Sequence, residues 1–226
     1  MPPKLETRKY PNALARVGIE RRGGDDAPPV ITGYGAVFYR EGDPGTEYQL
    51  WSNCVERIMP GAFDRALRED DVRSFFNHDA NLLLGRNRSG SLRLEVDDVG
   101  LRYEIDPPDT QTGRDLVVSL ERGDVDGSSF MFVPDELVWR ELEIDGRTLE
   151  VRELVSVQLW EVGPVVFPAY ESSTSGLRGE ERHAEARSGW EAWKRDATPA
   201  FDRERIARRT AMGVRLREVE QDEPRG

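Results

Sequence analysis

Cysteine is nearly absent from this chain of 226 residues: Cys54 is the one thiol, so no intramolecular disulfide can form, which fits a reducing compartment. Histidine is almost as scarce, with only His78 and His183. One His and one Cys without shared spacing make no zinc or iron ligand set, and neither a metal nor another cofactor is expected. No apolar run approaches the ~20 residues that crossing a bilayer requires, so no membrane partner is expected. The first residues, Met-Pro-Pro-Lys-Leu-Glu-Thr-Arg-Lys, carry charge with no apolar stretch behind them, which argues against a secretory signal. A Gly-rich phosphate loop, a Gly-x-Ser-x-Gly elbow and a His-Glu-x-x-His pair are all missing, and the usual phosphate-binding and zinc-hydrolase readings lose their support. Positive charge is in deficit too. The net charge is -11, and the acid excess lies wholly before residue 179, because the remaining tail holds 11 basic and 11 acidic residues. An acidic body argues against nucleic-acid binding, which needs cations to neutralise phosphates.

What is present is a chain of short β-type segments. Charged residues are 33% and mean hydropathy is -0.65, as for a polar surface or long solvated segments. Residues 1–28 lack clear periodicity and end in Arg-Arg-Gly-Gly-Asp-Asp-Ala-Pro-Pro, so they read as a flexible segment, although Leu14 to Ile19 could pair as an edge strand. From Val30 the chain turns β-branched and aromatic, and glycines inside Val30–Tyr39 suggest a bulge or bend. Strands are expected at 48–51, 54–58, 72–77, 82–85, 91–96 and 101–105, with Pro60 and Gly61 opening a short helix over 62–68. A helix over 112–122 is expected with Thr112 or Asp109 as N-cap and Gly123 as its stop. Separate strands follow at 130–134, 137–144, 147–153 and 155–160, with Asp145-Gly146 as the strongest hairpin signal. The fold class is therefore mainly β with a few helices, as in a sandwich or barrel. Residues 171–179 read as a linker before a charged tail with two helical candidates, 180–195 and 201–219, whose His183 sits on a solvated face and has no role.

The stretch Gly123 to Phe132, Gly-Asp-Val-Asp-Gly-Ser-Ser-Phe-Met-Phe, delivers two serines from a tight turn into a strand. Such a mount can hold a nucleophile, or it can be only a turn. Asn77-His78-Asp79 ends another segment: His78 is either a general base, for which an imidazole suits, or part of a plain strand-to-loop junction. Glu161 interrupts the apolar run Leu159-Trp160-Glu161-Val162. A carboxylate there needs a partner, which is either an arginine such as Arg88 or Arg114, or an imidazole that it orients.

In order along the chain, Gly33-Tyr34-Gly35-Ala36-Val37-Phe38, Glu56-Arg57-Ile58-Met59-Pro60-Gly61-Ala62-Phe63, Asn77-His78-Asp79 with Gly85-Arg86, and Gly100-Leu101 form one series. Gly113-Arg114-Asp115, Gly127-Ser128-Ser129-Phe130 and Glu161-Val162-Gly163-Pro164-Val165 through Pro168-Ala169 continue it. The series resembles the prohead protease of tailed double-stranded-DNA phages and covers about residues 30–175. The resemblance implies a serine endopeptidase of capsid maturation, related to the assemblin protease of herpesviruses. Its fold would be a closed or partly open β-barrel ringed by short helices, occupying residues 29–175, with a helical tail over 176–226. Its partners would be the major capsid protein with its scaffolding domain, and copies of itself, inside the procapsid in the host cytoplasm. Carried over, His78 matches the base, Ser129 the nucleophile and Glu161 the third member. Ser128 stands where the family more often has an apolar residue, and Met131 where a small one is usual.

Overall fold

The computed structural model describes residues 5–10, 12–144 and 146–167. The linker and the two tail helices expected after residue 170 lie outside these. Fourteen α-helices and β-strands follow in order among the described residues: β1 Glu6–Tyr10, α1 Asn12–Ala15, β2 Gly18–Arg21, β3 Pro29–Val37, β4 Tyr48–Trp51, β5 Cys54–Ile58, α2 Asp64–Glu69, β6 Arg73–Phe75, β7 Leu83–Arg86, β8 Leu92–Val96, β9 Gly100–Ile105, α3 Gln111–Glu121, β10 Gly127–Ile144 and β11 Arg147–Val165.

Strands dominate, with these three short α-helices and two 3-10 turns, Pro44–Thr46 and Asn87–Ser89, among them, so the mainly β expectation holds. Among the described residues no closed barrel forms. The larger sheet runs β1-β10-β11-β5-β4, with β6 also on β11 and β7 on β6, and the smaller runs β2-β3-β9-β8. Among the described residues neither path returns to its start.

The four separate strands expected between 130 and 160 are two long ones. A hairpin joins them, with Ile144 facing Arg147 and Gly146 at φ 73°, a backbone region open to glycine. Register shifts at Pro134/Glu136, Glu136/Leu137 and Met131/Phe132 explain the misreading: each bulge interrupts the period-2 pattern without ending the strand. β11 is shared along one edge, pairing β5 in parallel over 150–154 and β6 at Glu161. Near the C-terminal end of β11 the local strand order is thus β1, β10, β11, β6, β7.

The N-terminal segment is not featureless. β1 lies antiparallel on β10, and β2 on β3. The sequence Glu-Thr-Arg-Lys-Tyr hides this strand because two of its three inward residues, Glu6 and Arg8, are charged and only Tyr10 reads as core. Arg8 is clamped by Glu56 and Glu6, and Arg152 by the same two carboxylates, with six contacts of 2.6–2.8 Å. Their burial is tolerated because they alternate in sign and bond one another, although Arg152 Nε is left without a partner.

Other boundaries shift slightly. The 62–68 helix starts at Asp64, and the 112–122 helix is capped by Thr110, whose hydroxyl accepts from the Gly113 amide at 3.3 Å. In β3 the expected bulge falls at Gly35, between Tyr34 and Ala36. A Cβ there would lie 2.2 Å from Val162 Cγ2, so the glycine lets the smaller sheet press against β11. Cys54 is buried.

Behind β10 the core is aromatic. Phe130 stacks on Phe132 at 4.8 Å between centroids and meets Phe63 edge-on at 5.8 Å, with Tyr10 and Phe38 extending the cluster. Each such pair adds about 0.5–1.5 kcal/mol beyond the area it buries. The start of β10 is therefore held from behind, which is what a site on its other face needs.

Candidate active site

Directly opposite residues of an antiparallel pair share a face, and side chains alternate along each strand. Between β10 and β11 the register sets Ser128 opposite Pro164, Ser129 opposite Gly163, Phe130 opposite Val162 and Met131 opposite Glu161. Ser128, Phe130 and Val162 therefore face the aromatic core and the smaller sheet. Ser129, Met131, Glu161 and Gly163 face the other way. The two serines are separated by this alternation alone.

Their bonds agree with it. Ser128 Oγ reaches the Tyr103 hydroxyl and the Gly163 carbonyl, each at 3.3 Å, inside the core. Burial, the first cause, pushes the Tyr103 hydroxyl pKa well up, so it stays protonated. Ser129 Oγ donates to the Arg8 carbonyl of β1 at 2.8 Å. Both serines are buried.

His78 comes to the Ser129 face on the connection between β6 and β7. Asn77 and His78 both adopt left-handed backbone, φ 56° and 62°, a region that Asn and His enter more readily than most residues. The turn is pinned to the end of β11: the Asn77 amide donates to the Pro164 carbonyl at 3.2 Å, and the Val166 amide donates to Asn77 Oδ1 at 2.8 Å. Asp79 closes it, its amide donating to the Phe76 carbonyl and its carboxylate accepting from the Asn81 amide. So held, His78 Nδ1 shares a hydrogen bond with Glu161 Oε2. The carboxylate side chain is 3% exposed and the imidazole 18%, so the pair is nearly dry.

The arginines considered as partners of Glu161 are engaged elsewhere, Arg88 beside Asp71 and Arg114 with Asp109. Of the two partners weighed for the buried carboxylate, the imidazole is the one it meets.

Three buried polar atoms here lack a hydrogen-bond partner: His78 Nε2, Glu161 Oε1 and Ser74 Oγ. Orphaned buried groups are rare and cost about 1–3 kcal/mol each, so three at one place mark a site poised for something. Ser74 escaped the sequence reading, since a lone serine in a short strand carries no signal. Gly163 places it. A Cβ on Gly163 would come 2.6 Å from Ser74 Oγ and 2.7 Å from the Phe75 carbonyl, so only glycine lets β6 approach so closely between Ser129 and Glu161. The structure thus joins His78 to Glu161 and sets Ser129 on the same sheet face, with its hydroxyl turned to β1 and not bonded to the imidazole.

Residues 16–186 match the family model described as caudovirus prohead serine protease. A comparison with curated proteins gave no match. Among solved structures, the bacteriophage T4 capsid assembly protease is similar at 12% identity and a TM-score of 0.43, over 74% of this chain and 100% of that one. With the family model matched over well more than half its length, the chain belongs to the caudovirus prohead serine proteases.

Proposed function

We propose that Ser129 is the nucleophile of this capsid maturation protease, His78 its general base and Glu161 the acid that orients and charges the imidazole. The observation that carries this reading is the His78–Glu161 bond: it leaves Nε2 as the free ring nitrogen, buried, on the face that Ser129 shares. In this reading the Ser129 side chain turns away from the Arg8 carbonyl and gives its proton to Nε2. Oγ then attacks the scissile carbonyl, the π electrons move to the carbonyl oxygen, and backbone N–H groups receive that oxyanion. His78 returns the proton to the departing amine. A water, deprotonated by the same nitrogen, hydrolyses the acyl-enzyme and restores Ser129. Glu161 stabilises the imidazolium that forms twice in the cycle.

The substrate in this reading is the scaffolding region or N-terminal extension of the major capsid protein, cut inside the procapsid in the host cytoplasm, and the chain's own tail beyond residue 175. Self-association of copies packed in the shell belongs to the same reading, as does an assemblin-like origin of the two sheets. The test is co-expression with the capsid protein from the same source, followed by intact mass. Wild type trims the capsid protein or its own tail, and Ser129→Ala leaves both at full length. The Ser129 bond to the Arg8 carbonyl is also what a silent assembly protein would show. Co-assembly of wild type without any trimming would favour that second reading.

A further inference from the structure

Trp160 has no partner across the hairpin. Phe132 faces Leu159 and Met131 faces Glu161, so residue 160 is the extra residue of a β-bulge, placed directly before the carboxylate that holds His78. Its direction follows from counting sides. Val157 and Leu159 are buried in the core cluster and Gln158 is exposed, so the next residue, Trp160, points outward. Beyond it Val162 points at Gly35 and the smaller sheet, while Glu161 reaches His78 on the outer side. The alternation therefore breaks between 160 and 161, and Trp160, Glu161 and Met131 all project from the outer face. Without the inserted residue, a tryptophan before Glu161 would turn into the core.

Trp160 is 51% exposed although indole is among the most costly side chains to leave in water. Met131, opposite the bulge, is a flexible apolar side chain that adapts to what it meets. On one side of the His78–Glu161 pair the floor is polar, with Ser129 and Ser74 around Gly163. On the other it is apolar.

We infer that Trp160 and Met131 form a subsite that takes a large apolar side chain of the substrate peptide beside the scissile bond, making Trp160 a specificity-determining residue. The inference rests on the proposed site. Its occupant is the substrate because Trp160 and Met131 lie next in register to, and on the same sheet face as, the residues that would act on the peptide. An extended peptide lying over this face presents alternate side chains downward, so its reacting carbonyl and an apolar anchor can be seated together.

The experiment measures kcat/KM of the full chain on peptide pairs that span a capsid cleavage site and differ only in one flanking residue, Leu or Phe against Ala. Wild type prefers the large residue at one position by about tenfold or more, Trp160→Ala reduces that ratio to near one, and Trp160→Phe largely keeps it. A wild-type ratio near one overturns the inference, as does a Trp160→Ala ratio equal to that of wild type. If Trp160→Ala instead lowers the oligomeric state in solution with the ratio unchanged, the shelf is covered by a second copy and the inference falls. Fluorophosphonate labelling of wild type separates the two levels. A labelled Ser129 with no side-chain preference sinks only the subsite, whereas a chain that is neither labelled nor active sinks the proposed site beneath it.

Discussion

Glu161→Gln is expected to lower peptide cleavage by about three to four orders of magnitude while leaving the folded protein as stable as wild type, or more so. Both effects come from one atom pair and one orphan. Glu161 Oε2 meets His78 Nδ1, so in the proposed mechanism the carboxylate fixes the ring and offsets the positive charge it would gain as Ser129 gives up its proton. A glutamine offers no charge, and its NH2 group can donate to Nδ1, which drives the ring proton to Nε2, where it blocks proton transfer from serine. Stability runs the other way, because Glu161 Oε1 is buried without a partner and a neutral amide is cheaper to desolvate than a carboxylate. Paired measurements of kcat/KM and thermal midpoint check this. Activity within tenfold of wild type would mean that the His78–Glu161 bond is structural only.

The second large effect is on folding. Glu56→Ala is expected to cost about 3–5 kcal/mol, which lowers the melting temperature by about 10 °C for a domain of this size. Glu56 accepts from Arg8 and Arg152 together, and its side chain has no exposed surface, so its removal leaves two buried guanidinium groups to share Glu6. This cluster anchors β1 together with Tyr10, which packs in the aromatic core. Arg122→Ala, which breaks an exposed pair with Asp124, serves as the control and should cost under about 1 kcal/mol. Equal losses in the two variants would show that the buried cluster does not anchor β1. The same cluster gives an acid dependence of known sign. Burial works to raise the Glu6 carboxyl, but the bond from Arg152 and the charge of Arg8 outweigh it and hold its pKa at about 2, against an ordinary 4.5. The stability that Glu6 supplies is therefore complete above its unfolded pKa and lost as pH falls from 4.5 toward about 2.

How much of this was legible in the sequence depended on how far each feature reaches. The Asp145-Gly146 hairpin, the helix before Gly123 and the β-rich body are set by neighbours in the chain, and they were readable from spacing. Ser129 and Ser128 are adjacent, yet which of them shares the sheet face of Glu161 follows from strand alternation once the start of β10 is known. Glu161 could be flagged as a buried carboxylate, but its partner lies 83 residues away, and only the fold chooses between imidazole and arginine. β1 was missed for the same reason: Arg8 looks like a solvent residue until Glu56, 48 residues on, is placed against it. Bulges were misread as strand ends, since an inserted residue such as Trp160 breaks the pattern that periodicity arguments follow.

Reaction of the full chain with a fluorophosphonate, followed by peptide mass mapping, tests the central claim most directly. The account predicts a single adduct on Ser129, formed much more slowly in His78→Ala and absent from Ser129→Ala. An adduct on Ser128 or Ser74, or a wild-type chain that trims capsid protein yet carries no adduct on Ser129, would contradict it.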